Sequence, residues 1–339
     1  MVVALGTTAS AFWILALNSW MHTPAGFEMI NGQAHVTSWF EVIFNPSFPY
    51  RLAHMVLAAF ITTCFVIGGV SAGYLRRGVH REAGVRMLKL AVAFAAITVP
   101  LQVLVGDLHG LSVGEHQPTK LAAMEAHWEA GAPGEGVPLV LFAVPNATAE
   151  RNDYEIAIPR LGSLILTHSL DGEIQPLKAV PPSERPPVAP VFFGFRVMVG
   201  LGVLMIFIAV AGLWLRWRGT LYQSRWFLRL CSVMAPSGVI AVLAGWYVVE
   251  VGRQPWLVQG LVRTMDVVSP LPAERVALSL SLFVLTYSLL FGVYLYFMRK
   301  LIRKGPPPLE QLHQQLIGVK ASGYAVALAK QLTPAQEQK

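Results

Sequence analysis

The sequence is poor in charge, poor in cysteine and without several signatures of soluble enzymes. Only 13% of its 339 residues are charged, about half the share in an average soluble domain. Its two cysteines, Cys64 and Cys231, lie inside apolar runs, which predicts neither a disulfide nor a cysteine metal site. No internal repeat, P-loop, dinucleotide fingerprint or zinc-ligand spacing occurs. These absences argue against the common soluble nucleotide- and zinc-dependent enzymes.

Long apolar runs are what the sequence has instead. Hydrophobic residues make up 54% of the chain, and several runs exceed the ~18 residues that identify a candidate membrane-spanning helix. The sequence therefore predicts an all-α integral membrane protein, a polytopic helical bundle with about six transmembrane helices and a long outward-facing loop. The predicted spans cover residues 2–20, 52–75, 84–106, 192–216, 226–250 and 276–298.

The basic residues predict how this bundle is oriented across the membrane. The net charge of +7 comes largely from short clusters at 76–89, 216–225 and 299–304, which predicts cytoplasmic loops and no nucleic-acid partner. No basic segment precedes the first apolar run, so we expect no cleavable signal peptide. The predicted segments are helices 1–3 in 1–106, an outer loop in 107–191, helices 4–6 in 192–298 and a cytoplasmic tail in 299–339. Residues 21–51 and 251–275 also face outward.

A carboxylate closes the fifth apolar run. On a helix, Trp246, Glu250 and Arg253 share one face because they are four and then three residues apart. A glutamate at membrane depth needs a cation, a metal or a proton-transfer role. A plain Glu–Arg pair that ends the helix satisfies the same need, and the spacing leaves both interpretations open.

Two further residues lie at similar predicted depths on separate helices. His54 follows the outer boundary of the second span by about one turn, and Met198 follows that of the fourth by about two turns. A histidine and a methionine facing each other in a bundle are able to hold a low-spin haem. Each residue taken alone is more often structural or a packing residue. Arg196, beside Met198, requires an anion because it is predicted to lie inside the span.

The outer loop carries a third pair, Lys120 and Glu125, on a predicted short helix. Most such pairs are solvated at a surface. Residues 130–190 are rich in glycine and proline, which excludes long regular elements. A connection of this length is usually functional, so we expect the loop to bind something or to cover a site.

Taken together, the motifs resemble subunit I of the cytochrome bd-type quinol oxidases, in the branch with a short quinol loop. The similarity runs, in order along the chain, through NSWMHTPAGFE, GDxHG…QPxKxAAMExHW, FxFRVMVG and GWxxxExGRQPW. It implies that His54 and Met198 ligate a low-spin haem b, and that Glu250 ligates a high-spin haem. It also implies cofactor contacts for Arg196, Trp246 and Arg253.

The resemblance also implies a reaction. Lys120 and Glu125 would serve quinol oxidation at the outer face. Electrons would pass through the low-spin haem b to a high-spin haem b and a haem d, or a second haem b in its place, where dioxygen becomes water. The reaction is electrogenic without pumping. The implied setting is the bacterial cytoplasmic membrane, with 107–191 periplasmic. The expected partners are subunit II, a small single-helix subunit, quinol, dioxygen and lipid.

Two other interpretations remain at this point. A transporter or channel would use His54, Glu250 and Arg253 along an ion or proton path. Alternatively, the sequence is an incomplete record of the oxidase subunit. NSWMHTPAGFE, residues 18–28, resembles the end of the fourth helix of the family. About three helices, which carry the other high-spin haem ligand and the proton-channel carboxylates, would then precede Met1.

Overall fold

Ten α-helices and three short hairpins make up the described part of the chain. The structure is a computed structural model that describes residues 2–131 and 134–306. The helices are α1 Val2–His22, α2 Trp39–Ile43, α3 Phe48–Arg77, α4 Arg81–His116, α5 Pro118–Glu125, α6 Leu161–Thr167, α7 Val188–Trp217, α8 Arg225–Val233, α9 Ser237–Val251 and α10 Ala273–Lys304. The antiparallel hairpins pair β1 Phe27–Ile30 with β2 Gln33–Val36, β3 Leu139–Asn146 with β4 Arg151–Ile158, and β5 Trp256–Val258 with β6 Val262–Arg263.

The six predicted spans are confirmed, with two changes. Six helical segments are long and apolar enough to cross a membrane. The third continues to His116, so Asp107 and His109 lie inside α4 and not at a helix end. The fifth is broken at Pro236 into α8 and α9, because proline lacks the N–H that a continuous helix needs.

The first compact unit, residues 1–270, contains the bundle. Helix α3 packs against α4, α8 and α9, and α7 packs against the same three helices. Helices α3 and α7 therefore stand at opposite corners, with α4 on one side and α8–α9 on the other. The packing of α9 on α3 is close, since a Cβ added to Gly238 would lie 2.5 Å from the Cα of Thr62. This arrangement sets the positions of all the candidate ligands.

The connection between α4 and α7 is more ordered than its composition predicts. The proline- and glycine-rich stretch contains the eight-residue strands β3 and β4 and the short helix α6. Helix α5 lies under this layer with all of its residues from Lys120 to Glu125 buried. The connection thus forms a cap over the N-terminal end of α7, and α5 contacts α7 directly.

The second compact unit, residues 271–339, contains α10. It is a 32-residue helix with basic residues in its last turn, the feature from which a cytoplasmic end is predicted. The predicted tail begins within this helix, and its larger part, 307–339, lies outside the described residues.

Candidate functional site

The carboxylate of Glu250 has a partner on each oxygen. Asn18 Nδ2 donates to Oε1 at 2.7 Å, and Arg253 Nη2 donates to Oε2 at 2.7 Å. The expectation that Arg253 shares the helix face was wrong, because α9 ends at Val251 and Arg253 lies in the turn beyond it. The ion pair forms nevertheless. Each carboxylate oxygen keeps a further lone pair, so the pairing leaves Glu250 able to act as a ligand.

Trp246 lies one turn before Glu250 and packs on the first span. It contacts the apolar cluster of Leu15, Ala16 and Phe48 between α1 and α3. It therefore helps to hold α1 against α9, next to the carboxylate. Asn18, on α1, was not among the predicted site residues. The only signal for Asn18 in the sequence is that it is a polar residue near the end of an apolar run.

Cations outnumber anions around Glu250. Arg51, Lys120 and Arg253 are 4–6% exposed, and all three interact electrostatically with this one carboxylate. Burial lowers the pKa of the Lys120 ammonium well below its usual range, and Arg51 and Arg253 lower it further. Burial also lowers the pKa of Arg253, against the attraction of Glu250. Such a cluster stabilises additional anions.

Part of this positive charge has no hydrogen-bond partner among the described residues. The Nε and Nη1 atoms of Arg253 are buried and unpaired, whereas Arg51 Nε donates to Ser47 Oγ at 3.2 Å. Lys120 Nζ donates only to a neutral acceptor, the carbonyl of Val249, at 3.2 Å. Buried N–H groups of this kind are suited to carboxylates such as haem propionates.

His54 and Met198 lie on the two opposite corner helices. The edge of the His54 imidazole rests on α4 at Gly106, where an added Cβ would be 3.4 Å from Cε1. The sulfur of Met198 lies beside Gly245 of α9, 3.0 Å from the position of an added Cβ. The two donors belong to helices that are separated by α4 and α9, and their facing each other across the bundle stays a prediction.

Lys120 and Glu125 are both buried, so the interpretation as a solvated surface pair was wrong. They also have different neighbours. Glu125 Oε2 accepts a 2.6 Å hydrogen bond from Arg196 Nη2, and Arg196 Nε donates to the carbonyl of Val140. The anion that Arg196 requires is therefore supplied by the loop. Lys120, by contrast, points towards the end of α9.

A cavity of about 150 Å³ opens beside Lys120. It lies between α5, the end of α9 and the segment before α7. Its polar lining consists of Gln117, Thr119, Lys120, Glu184, Arg253, Gln254 and Gln259. Glu125 is not part of this lining, so Lys120 is the member of the predicted quinol pair that faces open space.

These residues fit haem better than a bare ion. In residues 2–131 and 134–306, no group of three or more His, Cys, Asp or Glu side chains comes together to hold a metal. The nitrogen of His54, the sulfur of Met198 and the carboxylate of Glu250 are instead single donors on separate helices, and each would be able to ligate a haem iron. The surplus of buried N–H groups suits propionates.

Comparison with known proteins agrees with the sequence resemblance. The family described as cytochrome bd terminal oxidase subunit I matches residues 1–306. Cytochrome bd-II ubiquinol oxidase subunit 1 of Escherichia coli (strain K12) is 30% identical, over 91% of this chain and 73% of that protein. Cytochrome bd ubiquinol oxidase subunit 1 of Bacillus subtilis (strain 168) is 33% identical, over 90% and 67%. The solved bd oxidase of Geobacillus thermodenitrificans has a TM-score of 0.80 at 32% identity, over 90% and 69%.

Proposed function

The chain belongs to the cytochrome bd terminal oxidase subunit I family, and on this premise we propose that its buried cationic site serves quinol oxidation coupled to dioxygen reduction. Membership makes it a quinol:oxygen oxidoreductase subunit and a bacterial respiratory membrane protein. The observation that carries the proposal is the cluster of Arg51, Lys120 and Arg253 around Glu250. That surplus positive charge is suited to the anionic cofactor of an oxidase.

We assign the haem ligands from the donor chemistry. His54 and Met198 would hold a low-spin haem b, and Glu250 a high-spin haem. Arg253 and Arg196 would offer N–H groups to propionates, and Trp246 would pack at the high-spin site. When bound, the haems supply the electron path from quinol and the reduction of dioxygen to water. The oxygen site would hold haem d or a second haem b.

Lys120 and Glu125 would handle the protons of quinol, whose oxidation releases two protons and two electrons. Lys120 borders the cavity, and its ammonium would donate a hydrogen bond to a quinol oxygen, which eases the loss of the phenolic proton. Glu125 would accept a proton as a carboxylate fixed in position by Arg196. The quinol residues thus belong to the cap, whereas the ligands belong to the bundle.

The same assignment predicts the membrane side of the cap and the partner subunits. We place the 107–191 connection on the periplasmic side, because the basic clusters predict that the opposite ends are cytoplasmic. Protons would then be released outside and taken up from inside, which makes the reaction electrogenic without pumping. Subunit II is the expected partner of the family, and a small single-helix subunit is a further proposed partner.

The test is a reduced-minus-oxidised spectrum of the purified complex. His54→Ala and Met198→Leu should each lose or shift the low-spin α-band, because each removes one proposed iron ligand. Met205, about two turns after Met198 on the same helix α7, is a buried packing residue of the core, and Met205→Leu is the matched control. A normal α-band in both ligand variants would refute the assignment. Absence of a Soret band from the wild-type complex would favour the transporter alternative.

A further inference from the structure

His109 has no role in the function proposed above, and it lies next to a residue that does. Its imidazole is 5.8 Å, centroid to centroid, from that of His54, with an angle of 60° between the rings. His54 is on α3 and His109 on α4, the most closely associated helix pair of the bundle. The contact is therefore set by the main packing of the bundle.

Each of the two rings has a buried nitrogen with nothing to bind. His54 Nδ1 and His109 Nε2 are both inaccessible to solvent and without a hydrogen-bond partner among the described residues. An unpaired buried polar atom destabilises the fold. Two such atoms on neighbouring rings are both satisfied if the rings form a hydrogen bond with each other.

The orientation of His54 supports that pairing. Its Cε1–Nδ1 edge faces α4 at Gly106, because a Cβ there would be 3.4 Å from Cε1 and 3.8 Å from Nδ1. His109 lies three residues further along α4, on the same helix face. The unpaired nitrogen of His54 is therefore directed at the part of α4 that carries His109, which leaves Nε2 for iron.

Metal-ligating histidines almost always donate their second ring N–H to an acceptor, which fixes the ring and raises its basicity. We propose that His109 is this acceptor, a positioning residue whose Nε2 takes the Nδ1–H of His54. The inference rests on the proposed role of His54 as a haem ligand. It requires neutral His109 with its own proton on Nδ1, so that Nε2 carries the lone pair. A small rotation of either ring, or one bridging water, completes the bond.

The proposal predicts the direction in which the reduction potential of the haem changes when His109 is replaced. A more basic His54 stabilises the oxidised iron, so the loss of the acceptor should raise the midpoint potential of the low-spin haem. We expect His109→Leu to shift the redox equilibrium about tenfold, or about 59 mV for one electron. His109→Gln, which keeps an acceptor oxygen, should stay close to wild type.

The experiment is a spectroelectrochemical titration of the low-spin α-band in the assembled complex. His116→Leu is the matched control, since His116 is also on α4 but its Nδ1 lies 3.0 Å from the carbonyl of Ser112 on the same helix. Should His109→Leu not assemble, His109→Ala provides the same loss of acceptor. The inference is overturned if the midpoint potential of His109→Leu equals that of wild type. It is also overturned if His109→Gln shifts the potential as much as His109→Leu does.

His54→Ala separates this inference from the function on which it rests. If His54→Ala loses the low-spin haem and His109→Leu leaves the potential unchanged, only the role of His109 is wrong. If His54→Ala keeps a normal low-spin band, the ligand assignment itself fails. If His109→Leu alone abolishes that band, His109 is the ligand, and both statements are overturned.

Discussion

Arg196 and Glu125 form a buried ion pair that links the cap to the bundle. The Nη2 of Arg196 is 2.6 Å from Oε2 of Glu125, and the guanidinium lies 4.7 Å from the ring centre of Phe192 on its own helix. Both side chains are largely buried, at 16% and 2% exposed. Because Arg196 precedes Met198 by only two residues, this pair joins a proposed quinol residue to a proposed haem ligand.

The first prediction uses the buried pair itself. Arg196→Leu leaves the Glu125 carboxylate buried without its cation, which costs about 3–5 kcal/mol. Removing both charges, in Arg196→Leu with Glu125→Leu, should recover most of the lost stability. Thermal unfolding of the detergent-solubilised complex measures the difference. A double variant that is as unstable as the single one would mean that the arginine contributes chiefly through Phe192 and Val140.

The second prediction concerns quinol oxidation. Lys120→Ala and Glu125→Ala should each slow it by about 10²-fold or more, the usual loss when a general acid or base is removed. Artificial one-electron donors should still support oxygen uptake, because the bundle ligands remain. Oxygen consumption with both kinds of donor measures the effect.

A nearby surface carboxylate provides the control for this experiment. Glu129 follows Glu125 by four residues and forms an exposed ion pair with Lys178, so Glu129→Ala should behave as wild type with either donor. Equal losses with quinol and with artificial donors in the Lys120 and Glu125 variants would contradict a specific role in quinol oxidation.

Features that are set by local spacing were predictable from the sequence, whereas features that are set by distant residues were not. The apolar spans and the Glu250–Arg253 pair follow from local spacing, so they were predictable. The burial of Lys120 and Glu125 was not, because it depends on Arg196 and Val249, which are far away in sequence. The extension of α4 was missed because two glycines, an aspartate and a histidine at 106–110 are typical of a helix end.

The third prediction is a pH dependence in the cap. His127 donates its backbone N–H to Ala122 and accepts from the backbone N–H of Leu177, so it ties α5 to the later part of the connection. Burial lowers the pKa of its imidazole, and Glu155 opposes that effect. The unfolded state, at about 6.5, then binds more protons than the folded one as the pH falls. The stabilisation is full above that value and is lost below it.

Hydrogen exchange checks this expectation. The amide of Leu177 should exchange faster at pH 5 than at pH 7.5, after correction for the intrinsic rate. In His127→Gln, which has no titrating ring, the corrected difference should shrink. The same difference in the variant and in wild type would mean that another group controls the cap.

The last prediction concerns Glu250. Asn18 and Arg253 hold its two oxygens in place at the end of α9. Glu250→Ala should therefore remove or disturb a high-spin haem and leave the His54/Met198 haem intact. Glu250→Gln should fail in a similar way, because a neutral amide is a poor iron ligand. Haem content per complex and the high-spin bands of the spectrum measure both effects.

An exposed glutamate on another helix tests the specificity of this loss. Glu274 lies in the first turn of α10, and Glu274→Gln should keep the full haem content. Arg253→Leu should give an intermediate result, since Asn18 still holds one oxygen of Glu250 while the propionate donors of Arg253 are gone. If Glu250→Ala retains every haem and native turnover, then Glu250 is only the partner of Arg253 at the end of α9, and the cations of this site serve a different anion.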